Sequence, residues 1–183
     1  MNEPPASPPE TDPDTDPGTD DRIYALGQVV ERAAVMEIAL RMAFCALIGG
    51  QYGAIVAGSE EAHTLIENCD AITRQHTGLR PDQRDAIRAA LRACRGANHE
   101  RNRLVHDAWG TRQDGAPATL HSARRSYQIT GRTWSIDQIR AAAEAITDAQ
   151  RSLLDAVEDA LGPASLQAAA EMLAQHASQR TLQ

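Results

Sequence analysis

Apolar residues along most of the chain recur at intervals of three and four positions, which is the spacing of one face of an α-helix. The longest such pattern covers residues 21–48 and ends at Gly49-Gly50. A short helix is predicted at 51–57, and a last helix, shorter than the others, is predicted near the C-terminal end of the sequence. The long helices and this last one are predicted at 21–48, 59–76, 81–109, 135–161 and 163–176.

Residues that start or stop helices set the predicted boundaries. Ser59 is predicted as an N-cap, and Pro81 fits the first turn of the next helix, which Gly110 is predicted to end. Ser135 and Gln138 have the spacing of a capping box at the start of the last long helix.

The segment between Gly110 and Ser135 has a different pattern, with Gly, Pro, Thr, Tyr and Trp in "ATLHSARRSYQITGRTW". This composition predicts a β-hairpin or an irregular insertion. The predicted fold is therefore all-α, an antiparallel four-helix-type bundle with a short extra C-terminal helix and this insertion.

The first 21 residues carry seven acids and no base, with six of the nine prolines of the chain. Such a composition cannot bury apolar surface, so residues 1–20 are predicted to be a disordered acidic tail. The predicted domain organisation is this tail, a helical bundle at 21–162, and a C-terminal helix and tail at 163–183.

Positive charge is concentrated in one region. All 18 cationic side chains are Arg, and residues 74–132 hold 12 of them against five acids. Two interpretations stay open at this point: a partner that bears phosphates, or a set of ion pairs between helices.

Several other classes of function receive no support from the sequence. His99-Glu100 begins like the zinc-protease helix H-E-x-x-H, but its fifth position is Arg103, which cannot bind a metal. No metal or cofactor is predicted. The chain has no secretion signal and no uninterrupted apolar run, which predicts a cytoplasmic protein without a membrane segment. Three cysteines without a metal-binding spacing are predicted to be small buried residues: Cys45, Cys69 and Cys94.

The stretch "HERNRLVHDAW" at residues 99–109 falls at the end of the third long helix. At 100° per residue Arg101 shares an arc with Ile87, Leu91, Cys94, Val105 and Trp109. A guanidinium on the buried side needs a partner, because an unpaired buried charge is costly. One interpretation is an ion pair with an acid on another helix, such as Glu31, Glu37 or Glu67. The adjacent arc is polar and holds Arg84, Arg88, Arg92, Arg95, His99, Asn102, Arg103 and His106.

The sequence Arg101-Asn102-x-x-x-His106 resembles the signature of the HEPN superfamily, in which an Arg, a polar residue and a later His lie near the end of a helix in a small bundle. The first helix "LGQVVERAAVMEIALRMAFCAL", the Trp after the motif, the connecting segment and the following long helix extend the resemblance. It covers about residues 22–161.

This resemblance implies a metal-independent endoribonuclease that acts as a homodimer, with two motifs facing each other. RNA supplies its own nucleophile, the 2′-OH, so the protein needs only a proton carrier and a cation. His106 would carry the proton, Arg101 would bind a phosphate oxygen, and Asn102 would orient His106 or the phosphate. The implied partners are RNA, a second copy of the chain, and an antitoxin or phage-defence partner. RNA phosphates would contact what we call the arginine stripe: Arg84, Arg88, Arg92, Arg95, His99 and Arg103.

Ala108 departs from one branch of the family. Toxins that are paired with a nucleotidyltransferase antitoxin have a Tyr at this position, so control by modification of that Tyr is not implied. Two alternatives to the nuclease remain: a non-catalytic RNA- or nucleotide-binding or interaction module, and a helical scaffold whose arginine stripe is held in ion pairs.

Overall fold

A computed structural model describes residues 17–50, 52–113, 116–122 and 129–181 of the chain. The helices are α1 Pro17–Ile48, α2 Tyr52–Ala57, α3 Ala62–Gln75, α4 Pro81–His106, α5 Ile136–Leu161 and α6 Pro163–Thr181. The strands are β1 Ala108–Thr111, β2 Pro117–Ser122 and β3 Ile129–Thr133.

Four of the helices, α1, α3, α4 and α5, form an antiparallel bundle in which α1 and α4 each pack against both α3 and α5. The short α2 and the C-terminal α6 cover one side of α1, and α6 also packs on α5. The predicted fold class is confirmed. Among the largest fully buried side chains of the core are Met36, Leu40, Leu65, Ile66, Ile87, Leu91, Ile146 and Leu153. No helix in the described ranges is long and apolar enough to cross a membrane.

The start of α5 was predicted correctly. The backbone N–H of Gln138 donates to Ser135 Oγ at 3.1 Å, and the Ser135 N–H donates to Gln138 Oε1 at 2.9 Å. These two bonds form the capping box that the sequence predicts. The helix ends at Gly162, whose φ of 83° is a left-handed conformation that favours glycine.

Other helix boundaries differ from the predictions. Helix α1 begins at Pro17, inside the predicted tail, and the rest of that tail, residues 1–16, lies outside the described residues. Helix α3 begins at Ala62, because Ser59 is not its N-cap: the Ser59 hydroxyl donates instead to the carbonyl of Val56 at 3.2 Å. Helix α6 continues to Thr181, five residues beyond the predicted end.

The predicted end of the third long helix was wrong. Helix α4 stops at His106, Asp107 is extended, and Trp109 lies in β1 rather than on the apolar arc of the helix. The Trp109 indole Nε1 donates to the carbonyl of Leu104 at 2.8 Å. That carbonyl belongs to the last turn of α4 and would otherwise lack a helical partner. The strand after the helix therefore helps to terminate it.

The insertion is a three-stranded antiparallel sheet in the order β1-β2-β3, which extends the predicted hairpin by one strand. Trp109 pairs with Thr119, and Thr119 pairs with Arg132 on the other side. Trp134 is buried beneath the sheet, where its Nε1 donates to Thr119 Oγ1 at 3.0 Å. Residues 123–128 of the insertion lie outside the described part of the chain.

Candidate active site

The three motif residues meet at the C-terminal end of α4. The Arg101 Nη1 donates to Asn102 Oδ1 at 2.8 Å and lies 3.1 Å from His106 Nε2. A guanidinium has no acceptor, so Nε2 of His106 accepts this hydrogen bond. Asn102 and His106 are exposed, whereas Arg101 is half-buried. The Nη1 atom of Arg101 therefore contacts both of the other residues of the motif.

These residues form one wall of a cleft of about 420 Å³, which lies within the size range of ligand pockets. Helix α4 provides one side of the cleft, and α1 and the start of α3 provide the others. We call this the α1/α3/α4 cleft. Its lining residues are Ala33, Glu37, Glu61, Ala62, His63, Asn98, Arg101, Asn102 and His106.

Arg101 forms no ion pair with any carboxylate in the described part of the chain. Glu37, one of its predicted partners, is paired with Arg41 at 2.6 Å, and Glu67 is paired with Arg95 at 2.8 Å. The Nε of Arg101 is buried and has no hydrogen-bond partner among the described residues. The interpretation of Arg101 as a structural ion pair is therefore wrong. Its charge remains available at the cleft.

Part of the arginine stripe is held in ion pairs. Arg88 Nε lies 2.9 Å from Asp70 Oδ1, and Arg95 pairs with Glu67, so both tie α4 to α3. The Nη2 of Arg84 donates to the carbonyl of Leu79 at 2.9 Å. This is the arrangement that the scaffold alternative predicted for the stripe.

The other members of the arginine stripe, Arg92, His99 and Arg103, have weaker ion pairs or none among the described residues. Arg92 and His99 are exposed and make no ion pair in the part of the chain that the structure describes. Arg103 lies 3.9 Å from Asp107, which is the outer limit of an ion pair. Nitrogens of the paired arginines that do not face a carboxylate can still contact phosphates, because a guanidinium has five N–H donors.

Asp70 lies between two cationic side chains. Burial raises the pKa of its carboxyl group, but hydrogen bonds from Arg88 and Arg74 outweigh that effect, so the pKa is lower than that of an ordinary Asp. The carboxylate is 14% exposed. We interpret this cluster as a structural link between α3 and α4.

The cysteines are free and buried, as predicted. Burial raises the pKa of Cys45 to about 11 and those of Cys69 and Cys94 to about 12. These thiols stay protonated at neutral pH and are poor nucleophiles. Among the described residues, no group of three or more His, Cys, Asp or Glu side chains is placed to hold a metal ion.

His63 is a lining residue that the sequence analysis did not select. It lies in the first turn of α3, and the structure brings it to the same cleft as His106. No local motif marks it, because most of its neighbours in the cleft come from α1 and α4. Only the packing of α3 beside the end of α4 identifies it.

No family model, curated protein or solved structure matches this chain. The class of protein is therefore defined by its fold and its site alone. It is an all-α bundle in which α4 carries an Arg–Asn–His cluster at the wall of a cleft. The resemblance to the HEPN superfamily rests on Arg101, Asn102 and His106 and on the order of the helices.

Proposed function

We propose that the protein is a metal-independent endoribonuclease of HEPN type, which cleaves RNA by attack of a 2′-OH on the adjacent phosphate. The observation that carries this proposal is the contact of Arg101 Nη1 with both Asn102 Oδ1 and His106 Nε2 at the wall of a cleft. A cation and a proton carrier side by side are two of the groups that this reaction uses.

Each motif residue has a role that fits its contacts. His106 takes the proton of the 2′-OH through Nε2, which is the nitrogen that faces Arg101. Arg101 stabilises the negative charge that develops on the phosphate, through a planar fork that suits phosphate oxygens. Asn102 holds the guanidinium in place through its side-chain oxygen.

The flanking phosphates of the RNA would contact the arginine stripe. Arg92 is the strongest candidate because it is exposed and has no ion pair in the described part of the chain. Arg84, Arg88, Arg95, His99 and Arg103 would add weaker contacts. Binding of this kind depends strongly on salt, because counterions are released from the RNA.

The proposed assembly is a homodimer. Helix α1 carries exposed apolar side chains on one face, which we call the α1 stripe: Ile23, Val30 and Ile38, with Gly27 and Ala34 between them. Ala33 and Glu37 of the same helix line the cleft, so a two-fold contact along the stripe would place two clefts side by side. An antitoxin or phage-defence partner is proposed from the family resemblance alone, and the cytoplasmic location stays a prediction from the sequence.

The direct test compares the wild type with His106→Ala on a labelled single-stranded RNA in EDTA. Loss of the proton carrier should lower the cleavage rate by about 10²-fold or more, while the affinity for RNA stays nearly unchanged. Arg151→Gln is the control for a change in a polar surface side chain, since Arg151 lies on α5, outside the cleft, and pairs with Asp148. Equal cleavage by wild type and His106→Ala would rule out the mechanism.

The ion pairs of Arg88 and Arg95 favour a second candidate, a non-catalytic interaction module. A scaffold of this kind would use the stripe only to hold α3 against α4. It predicts that the wild type neither cleaves RNA nor binds it more tightly as the salt concentration falls. An RNA-binding module without catalysis would bind in this salt-dependent way, and His106→Ala would leave that binding unchanged.

A further inference from the structure

The α1/α3/α4 cleft contains a second imidazole in the same chain. His63 lies in the first turn of α3, and His106 lies at the end of α4, yet both line this one cleft. The His63 side chain is exposed, and it makes no hydrogen bond or ion pair in the ranges that the structure describes. Both of its ring nitrogens are therefore available to a ligand.

We propose that His63 is a second catalytic residue, the general acid that protonates the leaving oxygen when RNA is cleaved. This inference rests on the proposed nuclease function. It assigns a residue to the protonation of the leaving oxygen, a step for which His106, as the base, does not account. Cleavage of RNA by its own 2′-OH needs a base for the nucleophile and an acid for the leaving group.

The proposed step balances as follows. His106 removes the proton from the 2′-OH, and the 2′-oxygen forms a bond to the adjacent phosphorus. The bond from phosphorus to the 5′-oxygen breaks, and this oxygen takes a proton from the His63 imidazolium. The products are a 2′,3′-cyclic phosphate and a 5′-OH. Exchange with water then returns both imidazoles to their starting protonation states.

The contact of His106 with Arg101 indicates which histidine is the base. His106 Nε2 accepts a hydrogen bond from Arg101, so this nitrogen carries no proton and can act as a base. His63 is the other imidazole that lines the cleft, and its ring nitrogens have no hydrogen-bond partner among the described residues, so it is the group left for the acid.

Glu61 lines the cleft next to His63, and two other carboxylates near His63 are held in ion pairs. Glu37 approaches from α1 and is paired with Arg41, and Glu67, one turn further along α3, is paired with Arg95. From α4 the cleft receives Arg101 and His106. The bound phosphate would lie between the Arg101 guanidinium and the two imidazoles.

One consequence concerns the dimer. The family resemblance implies a dimer in which two motifs face each other, so that the second chain would supply a second proton carrier. With His63 in the same cleft, a single chain contains both an acid and a base. The proposal of a dimer then depends on the α1 stripe and not on the chemistry.

The experiment uses two RNA substrates that differ in one atom. In the first the scissile bond has its normal 5′-oxygen, and in the second sulfur replaces that oxygen. A thiolate leaves without being protonated, so the second substrate needs no general acid. The His63→Ala variant should cleave the oxygen substrate about 10²-fold or more slowly than the wild type. It should cleave the sulfur substrate at a rate within about tenfold of the wild-type rate. His106→Ala should be impaired on both substrates.

The pH profile gives a second readout. The wild type should show a bell-shaped profile, because the base must be unprotonated and the acid protonated. His63→Ala should lose the fall in rate at high pH and keep the fall at low pH. His176→Gln is the matched control, because His176 lies on α6 beside a different cavity.

The outcomes separate the two proposals. An inactive wild type would overturn the nuclease function and the role of His63 together. An active wild type with an equally active His63→Ala would overturn the role of His63 alone. Equal impairment of His63→Ala on the oxygen and sulfur substrates would also overturn it, since a lost structural or binding contact would affect both.

Discussion

Arg101 combines a positive charge with partial burial at the wall of the α1/α3/α4 cleft. Its guanidinium is half-buried, its Nε is buried without a partner, and no carboxylate in the described part of the chain neutralises it. Burial of an uncompensated charge costs free energy. Residues that carry such a cost are concentrated at functional sites, where the charge is needed by a ligand.

This cost leads to a prediction for Arg101→Met, which keeps the length of the side chain and removes the charge. The free energy of unfolding should stay within about 1 kcal/mol of the wild type or increase, because no ion pair is lost. RNA cleavage should be abolished. Chemical denaturation and the cleavage assay together check this prediction. A loss of more than about 2 kcal/mol would instead give Arg101 a structural role.

Among the elements, the end of α4 determines where the motif residues point. The helix stops at His106, and Trp109 of β1 donates to the carbonyl of Leu104. The Arg22 guanidinium of α1 lies 5.8 Å from the centre of the Trp109 ring, so the tryptophan also contacts the first helix of the bundle. Trp109 therefore positions the last turn of α4 without lining the cleft.

Trp109→Phe removes the indole N–H and retains an aromatic ring. The variant should lose about 1 kcal/mol of stability, because the carbonyl of Leu104 loses its partner. Its cleavage rate should fall while its affinity for RNA changes little, because His106 loses its fixed position. The comparison is Ser135→Ala, which removes the N-cap of α5 at a similar cost in stability and should leave the rate unchanged. Equal rates for the two variants would contradict the positioning role.

The sequence predicted the elements whose signals are local. Ser135 and Gln138 are three residues apart, and the apolar spacing of α5 follows them directly, so the helix and its start could be predicted. The end of α4 could not, because the apolar spacing continues to Trp109 and only pairing with β2 takes that residue out of the helix. The cluster of Arg101, Asn102 and His106 could be predicted because these residues are neighbours in sequence. His63 could not be predicted as a residue of the same cleft, because only the packing of α3 brings it there.

At the scale of the whole molecule, the α1 stripe is an unusual surface. Ile23, Val30 and Ile38 are 60%, 46% and 54% exposed, and they follow one another along one face of α1. Apolar side chains grouped in this way often mark an interface. A second copy of the same helix face can cover them, because a two-fold contact brings like surfaces together.

Val30→Glu places a charge in the middle of the stripe and should convert the dimer into a monomer. Light scattering at micromolar concentration should show twice the monomer mass for the wild type and the monomer mass for the variant. Ile55→Glu is the control, since Ile55 is 54% exposed on α2, outside the stripe. A monomeric wild type would contradict the proposed assembly.

The most direct test of the central claim is the identity of the RNA ends that the wild type produces in EDTA. Mass spectrometry of a defined RNA should show a 2′,3′-cyclic phosphate on one product and a 5′-OH on the other. A substrate with a 2′-deoxyribose at the cleavage site should stay intact, because it has no internal nucleophile. Products with a 3′-OH and a 5′-phosphate, or cleavage at the deoxyribose, would contradict the account.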